Sequence, residues 1–150
     1  MRVVIQRVSE ASVTIEGRTT ARIGRGLLVL LGIEEADTPE DADWLVAKVA
    51  QMRLFADEAG KMNRSLEEES GELMVISQFT LHASTKKGNR PSFIRAARPE
   101  QAVLLYEQFL TMAESRLDRP VARGQFGADM KVALVNDGPV TIVMDSRSRE

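Results

Sequence analysis

The sequence predicts a single domain of mixed α and β structure, and three observations carry that reading. Runs rich in β-branched residues open and close the chain, and an unbroken apolar run, Leu27–Ile33, has the signature of a strand buried on both faces. Two stretches led by proline repeat their apolar residues at helical spacing. A chain of 150 residues has the size of one domain with a core of its own.

Taken in order, Arg2–Val8 and Ala11–Ile15 read as two strands from their β-branched content and partial alternation. Glu16-Gly17-Arg18 reads as a turn and Thr19–Ile23 as a further strand, before Gly24-Arg25-Gly26 leads into the apolar run. Thr38-Pro39-Glu40-Asp41 starts a helix: Thr38 can cap it, Pro39 suits its first position, and the two acids favour its positive end. Ala42, Leu45, Val46, Val49 and Met52 form its apolar face, with Trp44 beside that stripe as a partly buried packing residue. Ala56–Lys61, with Gly60, is a loop.

Leu73–Ile76 reads as a buried strand running into Ser77-Gln78-Phe79-Thr80. A second helix begins near Arg98-Pro99-Glu100 and turns Ala102, Leu105, Tyr106, Phe109, Met112 and Ala113 inward. Lys131–Val135 and Val140–Met144 read as two strands flanking Asp137-Gly138-Pro139, and the charged tail 145–150 is expected to fray.

Composition narrows the chemistry. There is no cysteine, so disulfides, thiolate metal sites and cysteine nucleophiles are excluded. His82 is the one histidine, which excludes a multi-histidine metal site within a single chain, and neither a metal nor a cofactor is expected. With a net charge of −2 the protein is not a polyanion binder as a whole, so any nucleic-acid contact must come from a local patch. The opening residues lack the apolar run of a signal peptide, and Leu27–Leu31 is too short to span a bilayer; no membrane contact and a cytoplasmic location are expected.

Three segments carry functional interest: Ser77-Gln78-Phe79-Thr80-Leu81, Lys86–Phe93 and Asn136-Asp137-Gly138-Pro139-Val140-Thr141. They offer hydroxyls, amides and glycines but no acid–base pair. Ser77 and Thr80 face one ligand only if the strand ends or bulges between them. The alternative is that they terminate the strand by local hydrogen bonds. A Thr80–His82 dyad needs a contact of about 2.6–3.2 Å and a third group to orient the ring, and none is evident. His82 therefore reads as a surface histidine. From Ala83 to Arg98 the chain holds Lys86, Lys87, Arg90, Arg95 and Arg98 and no acid, which makes either an anion-facing surface or a solvated loop. Gly138-Pro139 is by default a hairpin turn. It also lacks the Cβ that keeps a ligand off the backbone, and an X-Pro bond is the kind that becomes cis at modest cost.

Together these segments resemble the D-aminoacyl-tRNA deacylase family. The resemblance spans essentially the whole chain, from Val4-Ile5-Gln6-Arg7-Val8 and Ala11-Ser12-Val13, through Gly26-Leu27-Leu28-Val29-Leu30-Leu31-Gly32 and Gly124–Met130, to the Gly-Pro segment. It implies a homodimer whose barrel-like sheet carries two main helices, with residues 1–150 as one deacylase domain. The implied activity is hydrolysis of the ester joining a D-amino acid, or glycine, to the 3′ end of tRNA. The implied catalytic residues are Thr80, Gln78 and Phe79; Ser77, Gly138 and Pro139 bind substrate, and Lys86, Lys87 and Arg90 contact the tRNA. A cis Gly138-Pro139 bond would reach into the partner's pocket and reject L-residues by steric exclusion, as a second sieve in proofreading. The chemistry would use the 2′-hydroxyl of the terminal ribose, with main-chain N–H groups near Phe79 and Thr80 holding the oxyanion. Thr80 as a covalent nucleophile is the rival account. Two other functions stay open: a non-catalytic RNA-binding module and a general Thr/Ser esterase.

Overall fold

The two opening strand segments form one strand, β1 (Arg2–Ile15), in the computed structural model of residues 1–150. The break in alternation that suggested two strands is a pair of irregularities in pairing around Val8, with Ser9 and Glu10 exposed. They shift the parity of the buried positions. Val3 and Ile5 enter one apolar cluster, whereas Val8, Ala11 and Val13 enter another.

One edge of β1 pairs antiparallel with β2 (Arg18–Ile23) near its C-terminal end and with β3 (Gly26–Gly32) along its N-terminal half. β3 then pairs in parallel with β6 (Glu72–Ser77), which pairs in parallel with the short β7 (Ala122–Arg123). β2 also lies against β6 and β7, so the sheet curls into the barrel-like form expected. β3 is buried on both faces, as its apolar run predicts: Leu27, Val29 and Leu31 join the larger cluster and Leu28 the smaller.

Two helices, α1 (Pro39–Gln51) and α3 (Pro99–Leu117), pack on each other and against the face bearing Leu27, Val29 and Leu31. α1 begins where the sequence places it, with the Asp41 carboxylate accepting from the Thr38 N–H at 2.9 Å and the Thr38 hydroxyl at 3.2 Å. Trp44 is half-buried, with the Arg149 guanidinium 4.3 Å from its ring centroid. Between the helices lie elements that the sequence reading did not contain. A hairpin of β4 (Phe55–Ala56) and β5 (Met62–Arg64) surrounds the predicted loop, and a single turn, α2 (Leu66–Glu69), is capped reciprocally by Ser65 and Glu68. No helix is long and apolar enough to cross a membrane.

The last strand, β8 (Lys131–Asp145), corrects a second expectation. Asp137-Gly138-Pro139 does not turn the chain back. Lys131–Asn136 pairs with the distal half of β1 and Thr141–Asp145 with its beginning, in the same direction. Four residues, Asp137–Val140, are therefore looped out of a continuous ladder opposite Arg7. The tail expected to fray is tied down. Arg2 Nη2 meets Asp145 Oδ2 at 3.0 Å, Ser146 is buried with its N–H on Met1 O at 2.9 Å, and Arg147 reaches Ala36 O at 2.6 Å.

Tyr106 ties α3 to the sheet, its hydroxyl donating to Val75 O at 2.8 Å from a buried position. Burial pushes its pKa up to about 12, only partly offset by the positive charge of Arg123. The unfolded phenol ionises near pH ~10. Between that value and about 12 the folded state alone keeps the proton, so stability must fall as pH rises through this window. Two units correspond to about 2–3 kcal/mol. In urea titrations at pH 8, 10 and 11, Tyr106→Phe should be less stable by about 1 kcal/mol at pH 8. The gap should narrow or reverse at pH 11; a parallel decline in both proteins contradicts the assignment.

Candidate active site

β6 ends at Ser77, the first residue of the Ser77–Leu81 motif. The Gln78 N–H still donates to Leu31 O at 2.8 Å, after which Phe79–His82 close one 3₁₀ turn, with Leu81 N–H on Gln78 O at 3.2 Å. The strand thus stops between Ser77 and Thr80, the condition under which both can serve one ligand. The Phe79 and Thr80 N–H groups precede the first bond of that turn and remain as free donors. Gly32 lets the turn sit this close to β3, since a Cβ there would lie 2.9 Å from Leu81 Cβ and 3.0 Å from Gln78 O. Arg2 fixes the far end of the turn, donating from Nη1 to Leu81 O at 2.7 Å.

Ser77, Gln78 and Phe79 form one wall of a pocket of about 700 Å³. Phe93 and Arg98 line another side, and Phe126 and Met130, from the Gly124–Met130 stretch, a third. Thr80 stands just outside, exposed, with its hydroxyl accepting from Gln78 Nε2 at 2.5 Å. An amide is not a general base, so nothing at Thr80 takes its proton. A hollow of about 740 Å³ between Trp44 and Val143 contains none of the motif residues.

His82 is not a surface residue. Its side chain is 1% exposed and neither ring nitrogen has a hydrogen-bond partner; the nearest charge is Glu34 Oε2, 3.9 Å from Nδ1. Alternation stops with the strand at Ser77, so the parity that put His82 beside Thr80 no longer applies, and the turn carries the ring inward. No Thr80–His82 dyad forms. Glu34 itself is held by Arg95 at 2.8 Å.

The basic segment is a defined loop. Ser84 and Ser92 exchange backbone bonds of 2.7 and 2.9 Å and close the stretch that carries Lys86, Lys87 and Arg90. All three are exposed, and none has a carboxylate within 4.0 Å.

The Gly138–Pro139 bond is cis, and the looped-out segment is fixed at its base. Arg7 Nε donates to Asp137 O at 2.8 Å while Nη1 donates to Leu54 O at 2.5 Å. The Asn136 amide replaces the missing ladder: Oδ1 accepts from Val140 N–H at 2.8 Å, and Nδ2 donates to Val140 O at 3.1 Å and Thr141 Oγ1 at 3.2 Å. Within one chain this segment does not line the Ser77–Phe79 pocket. Arg2, which holds the 3₁₀ turn, and Arg7, which holds Asp137, are five positions apart on β1, roughly 16 Å along the strand.

Sequence reasoning missed Arg7 and Asn136 as the supports of this segment, and Phe93 as a pocket residue. An asparagine directly before Asp-Gly-Pro was the available signal, since its side chain readily bonds nearby backbone.

Residues 4–145 match the family described as D-Tyr-tRNA(Tyr) deacylase. The chain is 61% identical over 150 residues to a D-aminoacyl-tRNA deacylase of Flavobacterium johnsoniae, and 63% identical over 150 residues to one of Akkermansia muciniphila, in both cases covering all of each chain. Among solved structures it is similar to a c-Myc DNA unwinding element binding protein, with a TM-score of 0.91 and 42% identity over 97% of this chain and 98% of that one. It also shares its fold with a probable eukaryotic D-amino acid tRNA deacylase, at a TM-score of 0.82 and 18% identity over 95% and 97% of the two chains.

The Asn136 clamp yields a local test. Asn136→Ala removes one acceptor and two donated bonds at a half-exposed site, so it should cost about 1–2 kcal/mol. Hydrogen exchange at the Val140 amide should speed up by about tenfold while that of Val29, deep in β3, changes only with global stability. Equal acceleration at both amides would contradict a local clamp.

Proposed function

This chain belongs to the D-Tyr-tRNA(Tyr) deacylase family and is an ester-bond hydrolase, and we propose that it frees tRNA from D-amino acids in the Ser77–Phe79 pocket. The observation that carries the assignment of the site is its lack of a side-chain base. The Thr80 hydroxyl meets only an amide, and the one imidazole is buried without a partner. An aminoacyl ester is activated enough to need little more than a placed nucleophile and a stabilised oxyanion.

In this reading the 2′-hydroxyl beside the ester assists attack, and the free N–H groups of Phe79 and Thr80 receive the developing negative charge. Ser77 and Gln78 fix the terminal adenosine. Lys86, Lys87 and Arg90, exposed and without acidic partners, take the acceptor-end phosphates. Glycine, having no side chain to exclude, passes the same filter as a D-residue.

Chirality is judged by Gly138-Pro139 acting from a second copy of the chain. Support comes from its position: it projects from β8 on a fixed base, yet lies away from its own chain's pocket. A substrate α-carbon bearing an L side chain would meet that main chain, and a D side chain would point away from it.

The purified protein should hydrolyse D-tyrosyl-tRNA and leave L-tyrosyl-tRNA intact; salt-sensitive RNA binding without turnover would assign it instead to RNA binding. Thr80→Ala should keep activity within about tenfold, whereas loss of a covalent nucleophile costs on the order of 10⁶ in kcat. A D-tyrosyl-tRNA ending in 2′-deoxyadenosine should be nearly inert. An acyl-enzyme trapped on Thr80 overturns the substrate-assisted route.

The shared site has its own test. A Cβ at Gly138 would lie 2.6 Å from Val140 N and 2.7 Å from Val140 Cγ2, so Gly138→Ala must displace the segment and should abolish turnover. Phe79→Pro removes a donor of the oxyanion site and should do the same. Mixed dimers of these two inactive subunits should regain activity, because one pocket then has both an intact turn and an intact Gly138-Pro139. A monomer by sedimentation, or mixtures that stay inactive, would contradict the cross-subunit assignment.

A further inference from the structure

Beside the pocket mouth the surface carries an apolar ridge. Phe79 is 55% exposed and packs edge to face on Phe93, with ring centroids 5.1 Å apart, and the next residue, Ile94, is 87% exposed. The ridge is not a loose loop. Ala96 N–H bonds Phe93 O at 3.0 Å, Glu35 N–H bonds Arg95 O at 3.3 Å, Ala97 N–H bonds Ile33 O at 2.9 Å, and Arg95 pairs with Glu34. Phe93 and Ile94 are thus held out into solvent by backbone fixed on both sides. A large aliphatic and an aromatic side chain so placed form a platform for a flat ligand.

The charges around the platform say which ligand. Residues 83–99 contain five cations and no acid, and only Arg95 is paired with a carboxylate. Arg98, on the pocket wall next to the ridge, is exposed and has no acidic partner within 4.0 Å. A polyanion with flat bases suits both features. The pocket supplies the remaining constraint: about 700 Å³ is the size of a small-molecule site, matched to a nucleoside with its amino acid. The nucleotide on its 5′ side then lies at the rim.

We propose that Phe93 and Ile94 form a stacking site for the base of the nucleotide immediately preceding the esterified one, with Arg98 against the phosphate that joins the two. This rests on the deacylase reading and deepens it: the enzyme holds two nucleotides of single-stranded 3′ end, one inside the pocket and one on its lip. Stacking of this kind tolerates any base and gives affinity without sequence readout.

The test compares kcat/KM on three D-tyrosyl esters: of adenosine, of a CCA trinucleotide, and of the trinucleotide made abasic at the penultimate position. The wild-type protein should prefer the intact trinucleotide to the abasic one by about 5- to 100-fold, the range expected for one stacked base. Ile94→Ser and Phe93→Ser should collapse that preference, and Arg98→Gln should flatten the log–log salt dependence on the trinucleotide by about 0.7. Equal rates on the intact and abasic trinucleotides overturn the stacking site without any variant. A shift between dimer and monomer in Ile94→Ser would overturn it too, assigning the ridge to contact between copies. Failure of the wild-type protein on all three esters and on D-tyrosyl-tRNA would instead remove the deacylase reading, and this inference with it.

Discussion

The pairing of β1 on both edges is the constraint from which the rest of the molecule follows. β3 and β2 take one edge and β8 the other, so β1 can neither slide nor turn without breaking two ladders. Two arginines leave this fixed strand at different heights. Arg2 grips the main chain of the 3₁₀ turn at Leu81, and Arg7 grips the main chain at Asp137. Both motifs are thereby referred to one rigid element, although they sit in distant parts of the sequence and face different regions of the surface.

What could be read in advance was whatever depends on local pattern. The buried strand β3 and the proline-led helices were legible because apolar periodicity and capping chemistry operate over a few residues. The errors cluster where a distant partner decides. β8 looked like a hairpin because Asp-Gly-Pro is turn composition; only its pairing with β1 on both sides of the segment shows a bulge. β1 looked like two strands because its pairing irregularities around Val8 reverse the parity of burial. His82 looked exposed because alternation was carried past the end of the strand. The tail looked frayed because its anchors, Arg2, Met1 and Ala36, lie more than a hundred residues away in sequence.

The pocket divides in the same way. Ser77, Gln78 and Phe79 stand out in the sequence because their composition is unusual for a strand end. Phe93 and Arg98 do not, since an aromatic and an arginine in a basic loop have many uses. Their role comes from the bridge between Glu34 and Ala96, which lays the 93–98 segment against the mouth of the pocket. Charge adds a second layer. The chain is acidic overall, yet residues 83–99 beside this mouth hold five cations and no acid, a local surface for a polyanion.

On the proposed function, the site works through main-chain groups, which puts its chemistry in atoms that substitution cannot remove directly and its vulnerability in the side chains that aim them. Here those side chains are few. Arg2 and Gly32 set the turn that bears the Phe79 and Thr80 N–H groups, and Arg7 and Asn136 set the base of the Gly138-Pro139 segment. None of the four resembles a catalytic residue by type. A steric filter made of backbone also has to be stiff, because a sub-ångström retreat admits what it should exclude. In the cross-subunit function proposed for Gly138-Pro139, the three hydrogen bonds of one asparagine amide on a four-residue bulge, at a place where an ordinary sheet needs none, would supply that stiffness.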